Sequence, residues 1–229
     1  MKRYLITGAS RGIGRAIAEK LAGKETALFL HGRDRKALSA TCRSVETKGS
    51  RAIPLLCDLR DKAKIDKLVA EIESPLDVLI NNAGIAFVKP FESISIGEWE
   101  AILAVNVTAP FLITQKLLPK MREGSSIVNI LSTAAKTGYP NWSAYCMSKF
   151  ALEGFFQSIR EELRERKIRV INIYPAATDT DLWNRVEGDW PRDRMISADE
   201  VAVAVAFALS RPADVALENI SLSNLTGNL

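Results

Sequence analysis

Histidine is nearly absent from this sequence of 229 residues, which contains only His31. A Ser-His-Asp hydrolase needs a histidine as general base, and a histidine-rich metal site needs several imidazoles. Either kind of site would have to be built on this one side chain. His31 lies at the end of a predicted strand, and we interpret it as an ordinary strand-end residue. Any acid-base chemistry must therefore use a different proton donor.

Cysteine is also scarce, with Cys42, Cys57 and Cys146 as the only examples. The number is odd and no two cysteines have the CxxC spacing. The sequence therefore predicts neither a disulfide framework nor a zinc site, and we expect no metal. Free cysteines favour a reducing, cytoplasmic location.

Long apolar segments are missing as well. About 18 consecutive apolar residues would be needed to predict a membrane span, and the sequence has no such run. Only residues 4–6 are apolar between the basic N-terminus and Thr7, which is too short for a signal peptide. The net charge is +4, with both signs interspersed as in residues 160–166. That pattern is typical of a solvated helix face, so we expect neither a membrane nor a nucleic-acid partner.

Apolar residues make up 47% of the sequence and are arranged in alternating strands and helices. Strands are predicted at 4–6, 27–30, 52–57, 78–80, 127–131, 170–173 and 220–222. Helices are predicted at 12–22, 35–48, 61–72, 96–121, 143–166 and 197–209, with Asp61 and Ser197 as N-caps and Glu200 completing a capping box. Apolar strands separated by amphipathic helices predict an α/β fold. We expect a doubly wound parallel sheet of about seven strands in one domain, residues 1–229. Ligands of such sheets bind beyond the carboxyl ends of the strands.

A glycine-rich loop follows the first strand, with Gly8, Gly12 and Gly14 in the sequence TGASRGIG. Glycines permit a tight turn and a close approach of backbone to a pyrophosphate, which the N-terminus of the next helix would also attract. The spacing is TGxxxGxG and not GxGxxG, and the Lys-Ser/Thr ending of a P-loop is missing. The loop predicts a dinucleotide site.

Further motifs occur in register with this loop. Asn81-Asn82-Ala83-Gly84 follows the fourth strand, Ser132 ends the fifth, and Tyr145 precedes Lys149 by four residues in a predicted helix. With these motifs, the segment from Thr7 to about Thr180 resembles the short-chain dehydrogenase/reductase family. The resemblance implies a Rossmann-fold oxidoreductase that transfers a hydride between a nicotinamide cofactor and a carbonyl/alcohol pair. The cofactor half would be about 1–130 and the catalytic half about 131–229.

The resemblance also assigns roles to four residues. Tyr145 would donate the proton, although a free tyrosine has a pKa of roughly 10, and the nearby Lys149 cation would favour the phenolate. Ser132 would bind the substrate oxygen, and Asn106 would hold a water in a proton relay. The implied cofactor contacts are Gly8, Ser10, Arg11, Gly12, Ile13, Gly14, Arg33, Asp58, Leu59, Asn82, Ala83, Gly84, Tyr145, Lys149, Pro175, Thr178 and Thr180.

The end of the second strand favours NADP(H) over NAD(H). NAD enzymes usually place an acidic residue there for the ribose hydroxyls, but in register with the family this chain has Gly32. Arg33 and Arg11 are suited to clamp a 2′-phosphate, and Ser10 would add a hydroxyl. Asp34 comes one residue late for the ribose role and is free to pair with an arginine instead.

Pro110 lies four residues after Asn106 in the same predicted helix. Proline has no N–H, so the Asn106 carbonyl loses its helical donor. We expect the helix to bend there and the carbonyl to be free for a water.

The region after the sixth strand is expected to form the substrate side. Ala176 replaces the family's usual glycine, which makes a positive φ unlikely there. Residues 181–195 correspond to the family's substrate lid and contain Trp183 and Trp190, while Phe87 and Trp142 come from neighbouring loops. These rings favour an apolar or ring-bearing carbonyl substrate. The alternatives that they only pack the loop, or that a bulky acyl-carrier partner binds, stay open.

The family commonly forms dimers or tetramers through two long helices and the last strand, so a homodimer or homotetramer is expected. One alternative is a non-catalytic NADP(H)-binding regulator or scaffold with idle catalytic positions. Another is an epimerase, dehydratase or lyase, although those relatives are generally longer.

Overall fold

A parallel sheet of seven strands forms the centre of the protein, whose computed structural model describes residues 1–186 and 188–225. The strand order is β3-β2-β1-β4-β5-β6-β9, and each pair is parallel. The strands are β1 Lys2–Ile6, β2 Thr26–Gly32, β3 Arg51–Leu56, β4 Leu76–Asn81, β5 Met121–Ile130, β6 Arg169–Pro175 and β9 Asn219–Leu222. The short strands β7 Thr178–Asp179 and β8 Ile196–Ser197 pair separately.

Helices cover both faces of the sheet. They are α1 Gly12–Leu21, α2 Arg35–Glu46, α3 Lys62–Glu71, α4 Ile96–Ile102, α5 Ala109–Leu117, α6 Ser143–Leu163 and α7 Ala198–Leu209. One buried cluster joins α3, α5 and α6 to the sheet through Ile65, Ile113 and Phe156. The cluster on the other face joins α1, α2 and α7 through residues such as Ile17 and Val205. The predicted doubly wound α/β domain is confirmed.

Side-chain caps begin several of the helices. Asp61 accepts the N–H groups of Ala63 and Lys64, as predicted. Ser197 accepts the N–H of Glu200, which is one half of the predicted capping box. The complete capping box is at the start of α4, where Ser95 and Glu98 bond each other's backbone. These caps satisfy N–H groups that have no partner inside the helix.

The predicted helix 96–121 differs most from the observed structure. It is divided into α4, a π-helical segment Leu103–Thr108 and α5, followed by a 3₁₀ turn Leu118–Lys120. Pro110, in the first turn of α5, has no N–H for the helical ladder, which fits the wider π turn before it. Strand β5 starts at Met121 and not at 127, because its first residue pairs with Leu76 across a register shift.

The helical stretch Ile96–Lys120 is long and apolar enough to cross a membrane by length and composition alone, with a mean hydropathy of 1.5. Its apolar residues Ile102, Ala109, Ile113 and Leu117 are each 0–1% exposed against the rest of the protein. Burial in the core therefore accounts for part of its composition, since 44% of its most apolar window is buried.

The order of the strands reverses between β1 and β4, which are neighbours in the sheet. Their following loops diverge to opposite sides and leave a crevice beyond the carboxyl ends. The glycine loop after β1 and the Asn82–Gly84 loop after β4 lie at this crevice.

Candidate active site

A cavity of about 270 Å³ lies in the crevice. It brings together most of the residues predicted to hold a cofactor, from five separate loops of the chain. These are Gly8, Ser10, Arg11, Gly12, Ile13, Arg33, Asp58, Leu59, Asn82, Ala83, Gly84 and Thr180. We call this cavity the cofactor groove.

The glycines of the first loop fit its close contacts. Gly8 has φ +69°, and a Cβ on it would lie 2.9 Å from the Ala83 Cα. Gly14 is buried in the body of the protein, where a Cβ would come 2.3 Å from the Gly8 carbonyl oxygen. Gly14 does not line the groove, so its predicted cofactor contact is replaced by a packing role: it lets α1 approach the loop.

One end of the groove is shaped by Gly32 and Ser10. A Cβ on Gly32 would lie 1.9 Å from the Ser10 Oγ, so no acidic residue fits there while Ser10 keeps its place. The Ser10 Oγ is buried and has no hydrogen-bond partner among the described residues. Arg11 and Arg33 line the same end. An unpaired hydroxyl beside two guanidinium groups suits a phosphate, so the residues present fit the 2′-phosphate of NADP(H).

Two nearby carboxylates have protein partners. Asp34 caps α2 by accepting the Ala37 N–H at 3.0 Å, a bond that lowers its pKa. Asp58 forms a bidentate pair with Arg60, which lowers its pKa to about 2. Asp34 is thus a capping residue, whereas Asp58 lines the groove as an ionised group.

His31 also lines the groove, contrary to its interpretation as an ordinary strand-end residue. Its Nδ1 accepts the Gly8 N–H at 3.2 Å, and its Nε2 lies 3.1 Å from the Cys57 carbonyl oxygen. This pattern requires a neutral ring with the proton on Nε2. Burial lowers the pKa of His31 to about 4. The ring therefore ties the glycine loop to the end of β3.

The predicted catalytic pair lies on one face of α6. The Lys149 Nζ is 5.6 Å from the centroid of the Tyr145 ring and donates to the Ile130 carbonyl at 3.0 Å. The Ser132 hydroxyl forms a hydrogen bond with Tyr145 and accepts the Ala134 N–H at 3.1 Å. Ser132, Tyr145 and Lys149 are thus brought together from β5 and α6.

The pKa values in this pair differ from expectation. Burial raises the pKa of Tyr145 to about 12, and the Ser132 hydrogen bond opposes this only in part. Burial lowers the pKa of Lys149 to about 8. The predicted lowering of the tyrosine pKa by the lysine is not found, because desolvation dominates. Tyr145 therefore holds its proton at neutral pH and is suited to donate it.

Asn106 lies in the π-helical segment, where both polar atoms of its side chain form hydrogen bonds with other residues of the protein. Its Nδ2 donates to the Ile85 carbonyl at 2.9 Å and to the Ser148 Oγ at 3.0 Å, while its Oδ1 accepts the Ile85 N–H. Ser148 in turn donates to the Tyr145 carbonyl at 2.7 Å. Asn106 thus links the loop after β4 to α6. The free Asn106 carbonyl and the bend of the helix remain predictions, and the structure adds a π-helical segment around Asn106.

A ladder of asparagine side chains lies inside the sheet below the site. Asn81 donates to Asn129 at 2.9 Å, and Asn129 donates to Asn172 at 2.9 Å. The three residues are in register on β4, β5 and β6. Since Asn82, Ser132 and Pro175 follow within three residues on these strands, the ladder fixes the relative heights of the site loops.

A second cavity of about 150 Å³ opens on Tyr145 and Ser132. Its aromatic lining is Tyr139, Tyr145, Trp142, Trp183 and Trp190, and it also contains Pro175 and Thr178. We call it the aromatic chamber. Phe87 contributes to neither cavity. Among the described residues, Ala176 does not have a positive φ, as expected. The Thr178 carbonyl accepts the Trp183 indole N–H at 2.8 Å.

The groove and the chamber adjoin each other at a shared border formed by Ile13, Thr180 and Leu182. Sequence reasoning missed Leu182, Ile85, Ala86 and Val105, which line the groove as apolar residues without a motif. The predicted lid 181–195 forms 3₁₀ turns at Trp183–Arg185 and Arg192–Arg194, while Glu187 lies outside the described residues.

Known proteins share this architecture. The sequence model of a family described as short chain dehydrogenase matches residues 2–190. The chain is 35% identical to the 3-oxoacyl-[acyl-carrier-protein] reductase FabG of Aquifex aeolicus, over 91% of this chain and 90% of that protein. It is 34% identical to D-threitol dehydrogenase of Mycolicibacterium smegmatis, over 91% of this chain and 86% of that protein.

Solved structures agree with these relatives. The angucycline C-6 ketoreductase LanV with bound NADP superposes with a TM-score of 0.88 and 30% identity, covering 99% of this chain and 96% of that chain. A short chain dehydrogenase from Burkholderia cenocepacia J2315 in complex with NADP superposes with a TM-score of 0.87 and 30% identity, covering 97% of this chain and 96% of that chain. The chain therefore belongs to the short-chain dehydrogenase family of oxidoreductases, which act on alcohol and carbonyl groups.

Proposed function

We propose that this protein reduces a ketone or aldehyde to an alcohol with NADPH, using Tyr145 as proton donor. The observation that carries the proposal is the meeting of the cofactor groove and the aromatic chamber beside Tyr145 and Ser132. A bound cofactor and a carbonyl compound would then meet where the two cavities adjoin, close enough for a hydride to pass between them.

The choice of NADP(H) is supported by the end of the groove. The unpaired Ser10 hydroxyl, Arg11 and Arg33 supply donors and positive charge, and a Cβ on Gly32 would collide with the Ser10 Oγ in its present place. Two relatives that superpose on the whole fold were solved with NADP. The cofactor supplies the hydride when bound.

The remaining chemistry belongs to the chain's own residues. Ser132 would bind the carbonyl oxygen and stabilise the negative charge that develops on it. Its raised pKa keeps Tyr145 protonated, and it would then transfer its proton to that oxygen because an alkoxide is a stronger base than a phenolate. Lys149, held on the Ile130 carbonyl behind the ring, would supply positive charge and donors for the ribose hydroxyls.

Replacement of Tyr145 by Phe tests the proposal. We expect turnover, followed by the loss of NADPH absorbance with a panel of ketones and aldehydes, to fall by about 10²–10⁴-fold, the usual contribution of a general acid. NADPH binding, measured by calorimetry, should stay close to that of the parent protein. Equal turnover by the variant would contradict the assignment of Tyr145.

The same experiment separates the non-catalytic regulator from the enzyme. A regulator would bind NADPH in both proteins and would reduce no member of the panel in either. A preference for NADH in kcat/KM would instead contradict the cofactor assignment.

A further inference from the structure

Three of the four tryptophans in the chain lie together beside Tyr145. The Trp142 ring is edge-on to Tyr145, with centroids 5.5 Å apart, and contacts Trp183 and Trp190 at 5.8 and 6.0 Å. The rings of Trp183 and Trp190 are 4.9 Å apart. We call these three residues the tryptophan wall.

The polar edges of two of these rings are already bonded within the protein. Trp183 Nε1 donates to the Thr178 carbonyl at 2.8 Å, and Trp190 Nε1 donates to the Val186 carbonyl at 3.3 Å. All three tryptophans are only half-buried. The surface that Trp183 and Trp190 leave for a ligand is therefore carbon and π-face, not an indole donor.

The wall is held in place by the residues around it. Arg192 pairs with Asp179 and donates to the Asn184 Oδ1 at 3.0 Å and the Thr180 carbonyl at 3.1 Å. Gly188 has φ +134°, and a Cβ there would lie 2.9 Å from the Trp190 ring. These contacts restrict the positions of the rings, which would reduce the conformational entropy lost when a ligand binds.

Charge is the second restriction on the ligand. Among the described residues that line the aromatic chamber, no side chain is an acid, an arginine or a lysine. An ionised group of a substrate would lose water there without gaining a partner, which is costly. A flat apolar ring would instead pack against the tryptophans by stacked or edge-to-face contacts.

We propose that the tryptophan wall selects uncharged, ring-bearing ketones over ketones that carry a carboxylate and over open-chain 3-oxoacyl thioesters. This inference rests on the proposed function, since it names the substrate class of the same site. The hydride passes from NADPH to the carbonyl carbon and the proton from Tyr145 to the oxygen. The products are a secondary alcohol and NADP⁺, and solvent returns the proton to the tyrosine.

Intrinsic fluorescence of the protein saturated with NADP⁺ tests the binding of a ketone without turnover. In a Trp99→Phe variant, every remaining tryptophan belongs to the wall. We expect 2-acetylnaphthalene to quench this emission saturably, and 6-acetyl-2-naphthoate to bind at least about tenfold more weakly. Adding Trp183→Ala to this variant should weaken the binding of the neutral ketone about tenfold. Failure of the neutral ketone to bind, or equal binding of the two, would overturn the proposal.

Steady-state kinetics tests selection during reduction, with the same two ketones and the N-acetylcysteamine thioester of acetoacetate. The neutral ring ketone should have the highest kcat/KM, and Trp183→Ala or Trp190→Ala should lower it at least about tenfold. Trp183→Phe should restore most of it, and Trp99→Ala, outside the chamber, is the matched control. If the thioester is the best substrate, the selectivity is wrong but the reductase assignment stands. If the ring ketone binds and no carbonyl compound is reduced, the reductase assignment is wrong and the wall's selectivity stands.

Discussion

The cofactor preference depends on a side chain that is missing at Gly32. In a Gly32→Asp variant the new Cβ would collide with the Ser10 Oγ, which has to move. The carboxylate would then repel a 2′-phosphate and offer an acceptor to a ribose hydroxyl. We expect the ratio of kcat/KM for NADPH to that for NADH to fall by about 10- to 100-fold, measured by cofactor titration.

Two further variants make this prediction specific. Ser10→Gly combined with Gly32→Asp should relieve the collision and recover stability, while the ratio stays low. Gly97→Asp adds the same charge where a Cβ meets nothing within 4 Å, and should leave the ratio unchanged. An unchanged ratio in Gly32→Asp would show that this end of the groove does not select the cofactor.

His31 shows what a residue count alone cannot tell. A single histidine meant that a hydrolase triad would have to be built on His31, but its contacts with Gly8 and Cys57 depend on loops that meet only in the folded chain. The signal in the sequence was its place at the carboxyl end of a predicted strand, the edge of the sheet where ligands bind. Nothing in a single sequence gives the distance between them.

The neutral state of His31 predicts a pH dependence of stability. An unfolded histidine has a pKa near 6.5, whereas burial lowers that of His31 to about 4. The unfolded chain therefore binds a proton that the native protein does not, and the free energy of unfolding falls as the pH drops from about 6.5 to about 4. The loss should reach roughly 3 kcal/mol. Urea unfolding at several pH values measures it.

His31→Asn is the informative variant, because its Oδ1 can accept the Gly8 N–H and does not titrate. Its free energy of unfolding should lack this part of the acid dependence, while Arg33 and Asp58, the charged groups that face the ring, stay in place. His31→Leu removes both bonds and should also weaken NADPH binding. Identical slopes against pH in the parent protein and His31→Asn would contradict a buried neutral histidine.

At the scale of elements, strand and helix order was predictable because apolar periodicity is local. The fine structure of the segment 96–121 was not. Pro110 indicated a disturbed helix, but the choice of a π turn depends on Asn106 reaching Ile85 and Ser148, which come from other elements. The asparagine ladder likewise needs the register of three strands, which follows from packing and not from any one strand.

Pro110→Ala tests the function of the π-helical segment. Alanine restores an N–H and favours a regular helix, which would turn the Asn106 side chain away from its partners. We expect kcat to fall about tenfold or more while the melting temperature changes little, a split that simple destabilisation would not give. Pro119→Ala, in the turn that follows α5, is the matched control. A full kcat in Pro110→Ala would show that the π turn does not position Asn106.

At the scale of the whole molecule, four of the exposed large apolar side chains lie on two helical surfaces. Phe111 and Phe150 are 39% and 46% exposed on α5 and α6, and Val203 and Phe207 are 43% and 52% exposed on α7. The surface on α5 and α6 belongs to the two long helices through which the family resemblance implies assembly, whereas α7 was not part of that expectation. Large apolar groups in such places favour contact with another copy.

A homodimer or homotetramer is therefore expected, and its mass can be measured by size-exclusion chromatography with light scattering. Phe150→Glu and Phe207→Glu should each disrupt one of the two interfaces between copies, so that a tetramer dissociates into dimers of half the mass. Phe91→Glu changes an exposed residue outside these helices and should leave the mass unchanged. A monomer at every concentration would contradict the prediction.

The border shared by the cofactor groove and the aromatic chamber has a kinetic consequence. Ile13, Thr180 and Leu182 border both spaces, so whatever fills the groove supports one side of the chamber. We therefore expect the chamber to reach its final shape only after the groove is filled. Product inhibition in steady-state kinetics would then follow an ordered cycle, in which the nucleotide binds first and leaves last.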